Sequence, residues 1–324
     1  MKVGILGAGA IGAFVGAAMA RAGIDVTLVA RGPHLRAMQR DGVRVLSPSG
    51  DYTVLVGATD DLEVLSDADV VLVTLKAYSL PAIAARLGGL LDPETCTIWA
   101  QNGLPWWYFH RYPGELEGTV IERVDPGGTI ASSINLAGVL GCVVYCSTEI
   151  VEPGVIRHVE GTRFNLGELD GSKSDRGQGI SKLFVTAGLK APLDANIRDQ
   201  VWLKLIGNAA FNPITALTGA TLGDLGKHEE VVEVLRAVLA ECAEVAGRLG
   251  VRFPVGLDRR LEAGIAVGPH KTSMLQDLEA GRPLELDCMT GAIVELADRL
   301  GIAVPHTRTV HACALLRDSL RASG

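Results

Sequence analysis

Three polar side chains punctuate an apolar run. Lys204, Asn208 and Asn212, each four residues after the last, lie among Trp202, Leu205, Ile206, Ala209 and Phe211. At helical pitch the three stack on one face. One ammonium and two amides flanked by apolar side chains should line a polar cleft, and such a cleft suits acid catalysis of carbonyl chemistry. The same spacing also fits a lysine that snorkels from a half-buried helix beside two amides that bond packing partners.

A second pattern lies near the N-terminus. Gly7, Ala8, Gly9, Ala10, Ile11 and Gly12 spell G-x-G-x-x-G between an apolar run at 2–6 and a helical stretch, the setting in which the motif holds a dinucleotide. Gly7 permits the tight turn, Gly9 lets a pyrophosphate approach the backbone, and Gly12 lets the helix pack on the strand. The helix N-terminus then offers N–H groups to phosphate. The next strand ends Leu28, Val29, Ala30, Arg31. The acid that would hold a ribose 2′-hydroxyl is missing there, and Arg31 suits a 2′-phosphate, which points to NADP(H).

Lys76 and Asn102 each follow a predicted buried strand and so reach the ligand-facing edge of a parallel sheet. Lys76 suits a second phosphate contact. Asn102 suits a bridge between cofactor and substrate, although Asn102-Gly103 is equally a common turn. Further on, Ser273 lies near a helix start and could be an ordinary N-cap. Glu285, between leucines after Gly281-Arg282-Pro283, reads by itself as a surface acid or a partner for Arg282.

The elements that must position these groups alternate at first. Strands at 2–6, 25–30, 43–46, 53–56, 70–75 and 95–100 are interleaved with helices at 10–22, 33–40 and 80–87, which implies a mainly parallel sheet covered on both faces. After Asn102 the pattern breaks into a Gly-, Pro- and aromatic-rich segment to about 139. It opens with Trp106, Trp107, Tyr108 and Phe109, which read as a lid, a packed excursion or a contact between copies in a homodimer. Strand character returns at 141–146, 155–159 and 164–166. From 198 the chain reads as helices at 198–217, 229–249, 256–267, 272–280, 287–300 and 305–320. The fold expected is an α/β Rossmann-type N-terminal domain over 1–195 and an all-α C-terminal domain over 196–324.

A chain of 324 residues favours two domains. A formal charge of −7 without a basic run excludes nucleic acid and anionic membrane as natural partners. The glycine-rich start and the lack of a membrane-length apolar run lead us to expect a cytoplasmic protein. Six cysteines without C-x-x-C and seven histidines without an H-x-x-x-H pair suggest neither a disulfide framework nor a metal site.

Taken together, the glycine loop, Arg31, Thr74 to Ala77, Gln101 to Gly103, the Lys204/Asn208/Asn212 helix and the segment Ser273 to Asp287 resemble the ketopantoate reductases (2-dehydropantoate 2-reductases) nearly end to end. The resemblance implies NADPH between a Rossmann domain and a helical domain, with a small 2-oxo acid as the substrate to be reduced to pantoate for pantothenate biosynthesis. It implies that Lys204 protonates the developing alkoxide and that Asn208, Asn212 and Ser273 hold the substrate. Asn102 and Glu285 would contact cofactor and order the site. Two departures point to a paralogous reductase with a bulkier substrate: the long aromatic excursion, and Glu149 where the family commonly has a small residue. A non-catalytic NADP(H)-binding sensor is the reading from another class.

Overall fold

In the computed structural model, which describes residues 1–321, the chain forms two compact units. The first comprises Met1–Gln101, Trp107–Thr119 and Gly128–Ile197; the second comprises Asn102–Trp106, Val120–Gly127 and the chain from Arg198 onward.

The first unit opens with β1 (Val3–Leu6), α1 (Ala10–Arg21), β2 (Val26–Val29) and α2 (Gly32–Asp41). A hairpin of β3 (Val43–Leu46) and β4 (Tyr52–Val54), then β5 (Gly57–Thr59), β6 (Val70–Val73), α3 (Pro81–Leu90) and β7 (Cys96–Trp99) follow. After the excursion come α4 (Thr129–Ser133), two long antiparallel strands β8 (Val139–Glu152) and β9 (Val155–Glu168), and α5 (Asp175–Thr186). The nine strands make one sheet in the order β4-β3-β9-β8-β7-β6-β1-β2-β5. From β5 across to β8 every pairing is parallel. Strands buried on both faces need no alternation of polar and apolar residues, and β1, β6 and β7 are buried at every position. Strand order reverses around β1, which lies between β2 and β6, so its carboxyl end is the switch point of the sheet.

Several elements differ from expectation, and β5, α4 and α7 have no counterpart among the expected elements. The predicted runs at 155–159 and 164–166 are parts of one 14-residue strand, bulged against β8. The helix α5 was not foreseen, because Gly177 and Gly179 lower its propensity. Burial of Ile180 and Phe184, with Phe184 packed 5.4 Å from the Phe164 ring, holds it in place.

The excursion after Asn102 is packed, which agrees with the packed excursion among the three readings of its aromatics and not with a mobile lid. Trp107, Tyr108 and Phe109 are each about 1% exposed in the first unit, and a Cβ added at Gly141 would stand 2.8 Å from the Trp107 ring. Phe109 meets Tyr108 and Tyr112 edge-on, with centroids 4.8 and 5.1 Å away. Trp106, 8% exposed, falls in the second unit. Glu149 forms an ion pair with Arg157 on the adjacent strand, 2.6 Å away.

The second unit is helical: α6 (Ile197–Thr218), α7 (Leu222–Leu225), α8 (Glu229–Arg248), α9 (Leu257–Ala266), α10 (Ser273–Glu279), α11 (Ala292–Leu300) and α12 (Pro305–Arg321). Here α8 packs on α9, α11 and α12. Its Glu241 caps α12, accepting from the backbone N–H groups of His306 (2.9 Å) and Thr307 (2.8 Å), from the Thr307 hydroxyl (2.7 Å) and from His306 Nδ1 (2.7 Å). Burial alone would raise this carboxyl; the donors outweigh it and hold Glu241 below the ordinary carboxylate range. Five residues before α11, Asp287–Gly291, form a π-helical turn closed by Gly291 N–H to the Leu286 carbonyl at 2.9 Å, so the helix expected at 287–300 is regular only from 292.

Replacing Trp107 by Ala is expected to cost about 3–5 kcal/mol, the usual penalty for emptying a buried tryptophan site. Denaturant unfolding checks this; a loss below about 1 kcal/mol with a changed substrate KM would restore the lid.

Candidate functional site

In the first unit the site is built around the turn from β1 into α1. Gly7 has a φ of +96°, and a Cβ there would stand 2.8 Å from both the backbone nitrogen and the side chain of Leu75. The Gly7 and Ala8 N–H groups donate to the Val29 carbonyl at 3.1 and 2.9 Å, tying the loop to the end of β2. Gly12 is the tightest position: a Cβ would lie 2.5 Å from Thr74 Oγ1 and 2.6 Å from the Gly7 carbonyl oxygen. Gly9 is the opposite case, with only the Gly7 oxygen at 3.9 Å. Ala10 and Ile11 form the first turn of α1, which carries no acidic residue and no side-chain cap. Two tight glycines and one facing open space, at an uncapped helix start, fit a pyrophosphate laid against the backbone.

Arg31 is exposed at the N-cap of α2, two residues beyond Val29. The first turn of α2 also lacks an acid. Lys76, half-buried, caps a short 3-10 turn after β6. Gln101, half-buried at the end of β7, donates from its amide nitrogen to the carbonyls of Val73 (2.9 Å) and Leu75 (3.1 Å).

In this unit Thr74 was named only within the Thr74 to Ala77 block, without a role, and His34 was not singled out from the sequence. Thr74 donates its hydroxyl to the Gly7 carbonyl at 2.6 Å and fixes the turn. Its place directly after a buried strand, level with the glycine loop, was the available signal. His34 accepts the Gly154 N–H at Nδ1, 3.0 Å away; burial pushes its imidazole below the ordinary value, against the opposing effect of the Ala8 backbone. Nothing in the spacing marks it.

In the second unit α6 presents its polar face as the periodicity requires. Trp202, Leu205, Ile206, Ala209 and Phe211 are buried, while Lys204 and Asn208 are half-buried. The Lys204 ammonium donates to Asn102 Oδ1 at 2.7 Å. A Cβ at Gly207, about one turn beyond Lys204, would meet nothing within 4 Å. Asn212 is buried, its amide 3.9 Å from the Met289 sulfur. Pro213 has no N–H, so the Ala209 carbonyl loses its helical donor beside this polar face.

Asn102 is held by its neighbour. Gly103 has a φ of +86°, and a Cβ there would lie 2.3 Å from the Cys288 carbonyl oxygen; the Leu104 N–H donates to that same oxygen at 2.6 Å. Glu285 is 6% exposed, which corrects its reading as a surface acid, and Arg282 pairs instead with Asp277 at 2.8 Å. The cap of α10 is Thr272, whose hydroxyl accepts the Leu275 N–H; Ser273 is the first helical residue and is exposed. Behind the π turn, burial and then the Arg123 charge push His311 below its ordinary value, and its Nδ1 lies 2.8 Å from the Thr290 hydroxyl. Thus Lys204 and Asn102 are in contact, Glu285 stands near the Cys288 anchor, and Asn208 and Asn212 continue the Lys204 face. Among the described residues no group of three or more His, Cys, Asp or Glu could hold a metal, and no helix is long and apolar enough to cross a membrane.

Two family models match this chain, one in each half. The sequence model described as "Ketopantoate reductase PanE/ApbA" matches residues 3–171, and that described as "Ketopantoate reductase PanE/ApbA C terminal" matches residues 196–317. A 2-dehydropantoate 2-reductase of Mesorhizobium japonicum is 46% identical over 297 residues, 91% of each chain. Another, of Archaeoglobus fulgidus, is 33% identical over 95% of each. The crystal structure of a PanE/ApbA family ketopantoate reductase from Ralstonia eutropha JMP134 superposes with a TM-score of 0.86 at 31% identity, covering 99% of this chain and all of the other. Matched in both halves and this similar to curated members, the chain belongs to the ketopantoate reductase family.

Proposed function

We propose that the protein reduces 2-dehydropantoate (ketopantoate) to pantoate with NADPH, in pantothenate biosynthesis in the cytoplasm. The observation that carries this reading is the 2.7 Å bond from the Lys204 ammonium to Asn102, on a helix face that continues through Asn208 and in the same unit as the buried Glu285. A reduced nicotinamide, when bound, supplies the hydride. The chain supplies the rest. Lys204 gives its proton to the alkoxide oxygen that forms as the ketone carbon is reduced, and its charge stabilises that oxygen beforehand. Asn102 holds the ammonium in place for the transfer. Asn208, Asn212 and Ser273 bind the hydroxyl and carboxylate groups of the substrate, and Glu285 orders the site.

The glycine loop takes the pyrophosphate, with Lys76 as a further phosphate contact. Arg31, exposed at the start of a helix without a first-turn acid, takes the 2′-phosphate and makes NADPH the preferred dinucleotide. The features that suggested a bulkier substrate are engaged elsewhere. Trp107, Tyr108 and Phe109 are core, and Glu149 is paired with Arg157.

Lys204→Ala is expected to lower kcat by about 10²–10⁴, the usual share of a general acid, with little change in NADPH affinity. Unchanged kcat would remove Lys204 from the mechanism. Arg31→Ala should weaken NADPH about tenfold or more and leave NADH nearly unchanged, as loss of a charge-assisted contact to phosphate requires. Equal losses for both cofactors, in parallel steady-state measurements, would assign Arg31 to the fold.

A further inference from the structure

The first unit contains a cavity of about 390 Å³ that the reductase chemistry does not use. It is bounded by the carboxyl-terminal half of α1, the β3–β4 hairpin, β9 and the end of α5, and none of Gly7 to Gly12, Arg31 or Lys76 lines it. Its volume falls within the range of small-molecule sites. Its lining combines apolar residues, among them Ala18, Ala22 and Leu189, with a cation and several hydroxyl groups.

Arg21 supplies the only charged side chain in the lining besides any charge on His158, and no carboxylate lines the cavity. The guanidinium lies over the Tyr52 ring, 4.4 Å from its centroid, and pairs with no acidic side chain among the described residues. This contact with the ring holds the guanidinium at the cavity without using its N–H donors.

Another part of the lining is a directed chain of hydrogen bonds. His158, stacked on Phe14 with centroids 4.6 Å apart, has Nε2 at 2.6 Å from the Gly161 carbonyl. A carbonyl only accepts, so Nε2 carries the hydrogen and, in the neutral ring, Nδ1 accepts from the Ser47 hydroxyl at 3.0 Å. The Ser47 hydrogen is thus committed to His158, so the Ser49 hydroxyl donates to the Ser47 oxygen at 2.9 Å and the chain ends there. This leaves the Arg21 guanidinium as the donor for a ligand, and one planar cation beside apolar lining residues is a recognition pattern for an oxyanion with a compact apolar body.

We propose that this cavity is a second ligand site, which takes a small organic oxyanion, its carboxylate or phosphate head on Arg21 and its apolar body against Ala18 and Leu189. The proposal stands apart from the reductase reading. Backbone amide NMR of the full chain, titrated with benzoate, with phenyl phosphate and with uncharged benzyl alcohol, tests it. Either anion should shift the amides of Arg21, Ser49 and Gly188, and benzyl alcohol should not. The tighter-binding anion identifies the head group. Arg21→Gln should weaken that binding about tenfold or more, the usual effect of losing a charge-assisted contact. Saturating NADPH should leave it in place. Three results would each overturn the assignment: no shift at these amides with either anion, equal affinity in Arg21→Gln, or displacement of the probe by NADPH.

Discussion

The close approach of the Gly103 backbone to the Cys288 carbonyl is the constraint on which the chemistry of the helical unit rests. A side chain at 103 would collide with that oxygen, and the positive φ there is one that few residues other than glycine tolerate. The Leu104 N–H closes the contact from the other side at 2.6 Å. Asn102, one residue earlier, is thereby brought to hydrogen-bonding distance of the Lys204 ammonium. A half-buried ammonium needs acceptors; an amide oxygen provides one without neutralising the charge that a developing alkoxide would need. The π turn that presents the Cys288 carbonyl is itself an irregularity of a kind that recurs at functional sites.

The dinucleotide half follows a different logic, in which each glycine answers to a separate demand. Gly7 and Gly12 are glycine because neighbouring atoms leave no room, and Gly9 is glycine although nothing crowds it. That contrast is what a backbone built to receive a phosphate requires: tight where the helix meets the sheet, open where a ligand must come close. Thr74 completes the turn by bonding the Gly7 carbonyl from the neighbouring strand.

Much of this was legible in the sequence because periodicity and glycine spacing report local structure directly. The strand, turn and helix at the N-terminus and the polar face of α6 stand as the pattern requires, with Trp202 and Ile206 buried and Lys204 and Asn208 half-buried. What escaped depends on contacts between distant residues. Glu285 looked like a surface acid because spacing cannot reveal that Arg282 turns to Asp277. The four consecutive aromatics left lid, packed excursion and contact between copies all open, because a loop without secondary structure gives no sign of what it packs on; Trp107 fills the space that Gly141 leaves open. The helix α5 escaped because its glycines hide a propensity that the burial of Ile180 and Phe184 overrides. Thr272, one residue before the serine that drew attention, does the capping of α10.

The decisive measurement is the loss of NADPH absorbance in the presence of ketopantoate. A ketopantoate reductase should turn over with a kcat/KM of roughly 10⁴ M⁻¹s⁻¹ or more, the ordinary range for an enzyme on its own substrate. Oxidation of NADH should be much slower, and turnover of other 2-oxo acids slower. NADPH binding without ketopantoate turnover, alongside efficient turnover of a different 2-oxo acid, would rule ketopantoate out as the substrate.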